Sequence, residues 1–130
     1  MLVVEVEPLT STHAQRKALG DFGERLACRH LVESGLTVLD RNWRCAAGEI
    51  DIVASDGDVV VVCEVKTRSS ARFGTPLEAI TTAKANRLHR LGRLWLRDHD
   101  VRWSRLRVDV VSVVRHRRGP TELDHIVGVV

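Results

Sequence analysis

From His13 to about Ser34, apolar residues return at near-helical spacing through Leu19, Phe22, Leu26 and Leu31, and Gly35 stands where a helix would stop. The pattern then changes period. LTVLDRNWR reads as a short strand, and GEIDIVAS alternates in the manner of a second one, rich in Ile and Val. Asp56-Gly57 is a two-residue turn signal, so Asp58 to Lys66 is expected to fold back as the other arm of a hairpin. Its run VVVVC, with no polar interruption, predicts a strand inside the sheet with both faces covered. A polar, basic loop, TRSSARFGTP, follows. Helical spacing resumes from Leu77 to about His99, with Leu88, Leu91 and Trp95 on one stripe and Arg90, Arg93 and Arg97 on another. VRWSRLRVDVVSVVRH reads as a further strand, and the tail holds a turn and a final edge strand. Residues 1–12 lack a period and are expected to be a flexible N-terminal arm, and 13–130 a single α/β domain of order α-β-β-β-α-β.

Composition narrows the class. At 130 residues, with 44% hydrophobic and 28% charged residues, the chain is sized for one globular domain. Its longest apolar run is five residues, too short for a membrane span, and the first residues carry acids where a secretory leader carries basic ones. Three cysteines, Cys28, Cys45 and Cys63, without CxxC spacing suggest reduced thiols and a cytoplasmic protein. Net charge is only +3, but it is unevenly placed. Residues 1–83 hold 9 Lys/Arg against 12 Asp/Glu, whereas 84–118 hold 11 against 3. Such a segment suits a polyanion such as nucleic acid, and equally a solvated Arg-rich surface. With no tyrosine and 4% aromatic residues, a base-stacking platform is not indicated.

The hairpin carries the candidate chemistry. Residues two apart in a strand share a face, which groups Glu49 with Asp51 and Glu64 with Lys66. A turn at Asp56-Gly57 would pair Ser55 with Asp58, Asp51 with Val62 and Glu49 with Glu64, leaving Asp51 and Glu64 as diagonal neighbours. Like charges that close on a buried sheet repel unless a cation joins them. Oxygen ligands suit Mg²⁺ or Mn²⁺. Lys66 beside them could orient or deprotonate a water and stabilise a charged phosphate, the needs of phosphodiester hydrolysis. The competing reading is an exposed acid–base ladder. Arg68, in the basic loop after the lysine, is placed for a phosphate contact; Lys84 and Arg87 share a face of the second helix, either as phosphate contacts or as solvated charges. Arg107 and Asp109 read as a structural ion pair. Trp43, Trp95 and Trp103 read as packing residues.

The spacing from Asp51 to Glu64-Val65-Lys66 is similar to the PD-(D/E)xK signature of restriction-endonuclease-like nucleases, with Ile50 in place of the proline. More of the chain, from about Gly20 to Val113, resembles the YraN-like family of small bacterial proteins, through GERLACRHL, RNWRCAAGEIDIVA, CEVKTRSS, FGTPLEAI, the segment from Lys84 to Arg87, and RVDVV. The resemblance implies a restriction endonuclease-like α/β fold, a central mixed β-sheet flanked by α-helices, similar to archaeal Holliday-junction resolvases. It further implies that Glu24 joins Asp51 and Glu64 as a metal ligand, that Arg25 contacts phosphate, and that Lys66 is catalytic. Glu49, from the GEID motif, is the further catalytic candidate. The implied activity is metal-dependent hydrolysis of DNA, branched or junction DNA included, by a homodimer. The alternative is a nucleic-acid-binding domain that keeps the fold without turnover, and a second is a protein-interaction domain.

Overall fold

The N-terminal helical period becomes α1 (His13–Glu33). Thr12 and Gln15 close a reciprocal capping box at its start, each side chain bonding the other's backbone N–H at 2.8–3.1 Å. Gly35, at φ 95°, ends the helix, and the Leu36 N–H returns to the Leu31 carbonyl. The computed structural model describes residues 12–69, 80–101 and 105–130, and the expected arm therefore lies outside it except for Thr12. Three strands follow: β1 (Thr37–Cys45), β2 (Gly48–Asp56) and β3 (Val59–Arg68). The expected second helix is α2 (Thr82–Asp98). It starts later than Leu77 because Thr81 is extended and its hydroxyl accepts the Lys84 N–H at 3.1 Å; residues 77–79 lie outside the described residues. Strand β4 (Arg105–Val114) and the short edge strand β5 (Glu122–Ile126) complete the chain.

The strands form one sheet in the order β1-β2-β3-β4-β5, antiparallel except for the parallel β3–β4 pair. Parallel neighbours need a crossover, and α2 lies on that connection. The apolar run of β3 is central, as its pattern predicted. Alternation sends Val61 and Cys63 to the α1 side, with Ala27, Leu31, Ile52, Val111 and Val113. Val60 and Val62 go to the α2 side, with Leu88, Leu91, Trp95 and Val108. Helices thus cover opposite faces of a five-stranded mixed sheet, the restriction-endonuclease-like α/β arrangement.

The hairpin register differs from the sequence expectation by two residues. Asp56 pairs with Val59, so Gly57 and Asp58 make the turn, with Gly57 at φ 61° in its first position. Ile52 then lies opposite Cys63, and the same register points Asp51 at Glu64 rather than at Val62. A shift of two preserves which face each residue occupies. A second departure is local. Ile52 faces α1 while Ile50 faces α2, although regular alternation would put both on one side. Across the ladder, the Arg41–Ile52 and Trp43–Ile50 pairs flank Asn42, whose φ of 52° lets β1 change face at the same point. Asp51 sits at this reversal.

Close contact sets α1 over the end of β3. A Cβ added to Gly23 would overlap the Thr67 side chain, so only glycine permits the approach. Gly23→Ala is expected to cost about 2 kcal/mol in urea unfolding, from overpacking at this contact; an unchanged stability would show that α1 does not approach Thr67 this closely.

Candidate active site

β2 is paired with β1 from Gly48 to Ser55, but its pairing with β3 ends at Ile52–Cys63. Just beyond that pair the Asp51 carboxylate accepts the Val65 N–H at 2.8 Å, so a side chain takes up a donor that a continued ladder would have used. The strands part there. Glu64 and Lys66 continue on β3, still paired to β4, and lie on its α2 side by alternation from Val62. The site is therefore a fork in the sheet, at the end of the hairpin away from its turn.

Charge in the fork is dense. Glu64, with its side chain only 13% exposed, has the Lys84 Nζ at 3.1 Å and the Lys66 Nζ at 3.8 Å from the same Oε1. Burial pushes the Asp51 carboxyl up to about 7; the Glu64 charge adds to this, the Val65 N–H opposes it, and Glu24 and Glu49 add smaller upward pushes. Lys66 is held below the ordinary lysine range by the adjacent Lys84 and by burial, against the pull of Glu64 and Asp51. Lys84 moves the other way: burial opposes its charge, but contact with Lys66 and Glu64 outweighs that.

The other expected residues spread around this centre. Glu24, on α1, pairs with Arg41 at 3.9 Å, and its side chain is largely buried. Glu49 is not brought opposite Glu64. It pairs across the ladder with Arg44 and ion-pairs with it at 3.3 Å, with its side chain 59% exposed; the register and the face reversal at Asp51 account for the difference. Arg25 is exposed on α1 and Arg68 is half-buried at the end of β3. Arg87 donates to the Ala47 carbonyl at 3.3 Å and lines a cleft with Arg90 and Leu94. Sequence reasoning placed Lys84 among phosphate contacts but missed its place on Glu64. The available signal was the crossover itself, since a helix leaving a parallel strand starts beside that strand's C-terminal end.

Could the fork hold a divalent cation? Among the described residues, no three His, Cys, Asp or Glu side chains converge closely enough to cage one. The three-carboxylate set of Asp51, Glu64 and Glu24 is not assembled in this arrangement. Asp51 and Glu64 do fit the looser mode in which Mg²⁺ takes one or two carboxylates and keeps waters, because they are hard oxygen donors whose mutual repulsion a cation relieves.

A family model described as "Uncharacterised protein family UPF0102" matches residues 23–113. The chain belongs to the UPF0102 family. A UPF0102 protein of Nocardioides sp. is 56% identical over 116 residues, covering 89% of this chain and 94% of the relative. One of Kineococcus radiotolerans is 56% identical over 119 residues, covering 90% and 98%. One of Frankia casuarinae is 49% identical over 113 residues, covering 87% and 96%. The UPF0102 match spans the fork and α2 and stops before β5. No helix among the described residues is long and apolar enough to cross a membrane.

The raised Asp51 pKa has a signed consequence. Between about 4 and about 7 the folded protein holds a proton on Asp51 that the unfolded chain has released, so rising pH through that window lowers stability. Asp51→Asn removes the titration and can still accept the Val65 N–H. Its stability relative to wild type in urea unfolding is expected to improve by about 4 kcal/mol from pH 4 to pH 8. A difference that stays flat with pH contradicts the assignment.

Proposed function

We propose that this protein is a nuclease that hydrolyses DNA phosphodiester bonds with Mg²⁺ or Mn²⁺ at Asp51 and Glu64. The observation that supports this most is the pair of half-buried carboxylates at the fork with Lys66 beside them. A bound cation would polarise the phosphate and lower the pKa of a water. Asp51 is fixed for such work by the Val65 N–H, and Glu64 by the strand pairing of β3 with β4. Lys66 would orient the attacking water and counter charge on the phosphate. Glu24 would act from α1 as an outer carboxylate, its charge already felt at Asp51.

The backbone of the substrate would run over basic groups around the fork. Lys84, Arg87, Arg90 and Arg93 follow one another at three-residue intervals along α2, and Arg25 and Arg68 lie on the α1 and β3 sides. Branched DNA is the substrate class that the resemblance to junction resolvases favours. Cutting two strands symmetrically requires two fork sites, so a homodimer goes with that choice.

The non-catalytic reading rests on one observation: Glu64 is already neutralised by two lysines. Cleavage decides between them. Junction, duplex and single-stranded DNA are incubated with Mn²⁺ and wild-type, Asp51→Ala or Lys66→Ala protein. Both variants are expected to lose at least ~100-fold in rate while binding DNA with the salt dependence of wild type. Salt-sensitive binding by wild type with no cleavage of any substrate would establish the binding domain instead.

A further inference from the structure

Only three of the chain's 20 basic residues are lysines, and two of those three meet at a single carboxylate oxygen. Arginine serves nearly everywhere else, so the fork is where the compact, strongly hydrated ammonium is used in place of the guanidinium. The two lysines are held differently. Lys66 belongs to the paired backbone of β3, whereas Lys84 occupies the first turn of α2, its backbone N–H pinned to the Thr81 hydroxyl. Its side chain is 36% exposed, and it makes the shorter contact with Glu64.

When all four groups are charged, Asp51 and Glu64 balance Lys66 and Lys84. Adding a divalent cation leaves two positive charges uncompensated in a half-buried fork, unless a cation withdraws or an anion arrives. The withdrawing group has to leave the Glu64 Oε1 and has somewhere wet to go. Both lysines are partly exposed, Lys84 at 36% and Lys66 at 38%, so the choice between them falls to contact and attachment: Lys84 makes the shorter contact with that oxygen and reaches it from the first turn of α2 on a flexible four-carbon stem.

Resting on the function proposed above, we propose that Lys84 is a resident counter-ion: its ammonium neutralises Glu64 in the metal-free protein, yields that oxygen to a divalent cation, and then meets the substrate phosphate. Cation loading and nucleic-acid binding are thereby coupled, and the coupling is reciprocal. Without DNA the lysine competes with the cation; with DNA the phosphate draws the lysine away and cation binding tightens.

Calorimetric titration of Mn²⁺ into DNA-free protein tests this. Lys84→Met is expected to bind Mn²⁺ roughly fivefold more tightly than wild type, the worth of one lost ion-pair competitor. Lys17→Met, which removes an equal charge from an exposed pair with Asp21 on α1, is expected to bind as wild type does. Circular dichroism confirms that each variant is folded. If wild type binds Mn²⁺ and Lys84→Met binds it no more tightly, the counter-ion role is wrong while the metal site stands. An equal gain in Lys17→Met would make the effect one of net charge and overturn the proposal. If neither wild type nor Lys84→Met binds Mn²⁺, the metal site falls and the proposal falls with it.

Discussion

The geometry of this protein turns on the bond from the Val65 N–H to the Asp51 carboxylate. A backbone donor at that point needs an acceptor, and in a continued hairpin another strand would supply it. Here a side chain does. β2 is thereby freed from β3 beyond Ile52 while staying paired with β1, and the gap between the two strands becomes the place where Glu64, Lys66 and Lys84 can gather. The same bond stabilises ionised Asp51, but it is outweighed by burial and by Glu64, so the carboxyl remains raised. Structure and electrostatic tension at the fork therefore have one origin.

The framework around the fork is rigid by comparison. The first half of β3, through Cys63, is apolar on both faces and covered on both, and α1 and α2 are fixed by contacts that leave no room for a Cβ at Gly23 and Gly92. At the β4–β5 side, Asp109 is fully buried yet fully partnered. Arg107 and His125 bond it, the Gly128 N–H bonds it at 2.9 Å, and His125 in turn reaches His30 of α1 at 3.0 Å. That chain of polar contacts ties the C-terminal strand to the first helix on the face opposite α2. It explains the buried charge of Asp109, beside Cys63 on the next strand, as a structural element, as the spacing of Arg107 and Asp109 suggested.

Much of this was legible in the sequence because period and burial agree. The uninterrupted VVVVC run marked the central strand, the Leu88, Leu91 and Trp95 stripe marked the buried face of α2, and the Glu64–Lys66 spacing put both on one side. The turn was misplaced by one residue since Asp-Gly and Gly-Asp are both good turn pairs, and only the backbone shows Gly57 in the first position. The face reversal at Asp51 was not readable. It depends on Asn42 adopting a positive φ on a neighbouring strand, and a strict two-residue alternation has no term for that. Trp95 was expected to pack and does, but its bond to Asp40 at 2.9 Å links positions 55 residues apart and left no local trace. Lys84 at Glu64 is of the same kind: a tertiary contact across a crossover.

The proposed function requires of Asp51 a half-buried carboxylate whose raised pKa a bound cation would lower. Carbon-detected NMR titration of the Asp51 carboxyl, with and without Mg²⁺, tests it most directly. A midpoint near 7 that falls sharply on adding Mg²⁺ is the predicted result. A midpoint in the ordinary aspartate range, unmoved by Mg²⁺, would contradict the account.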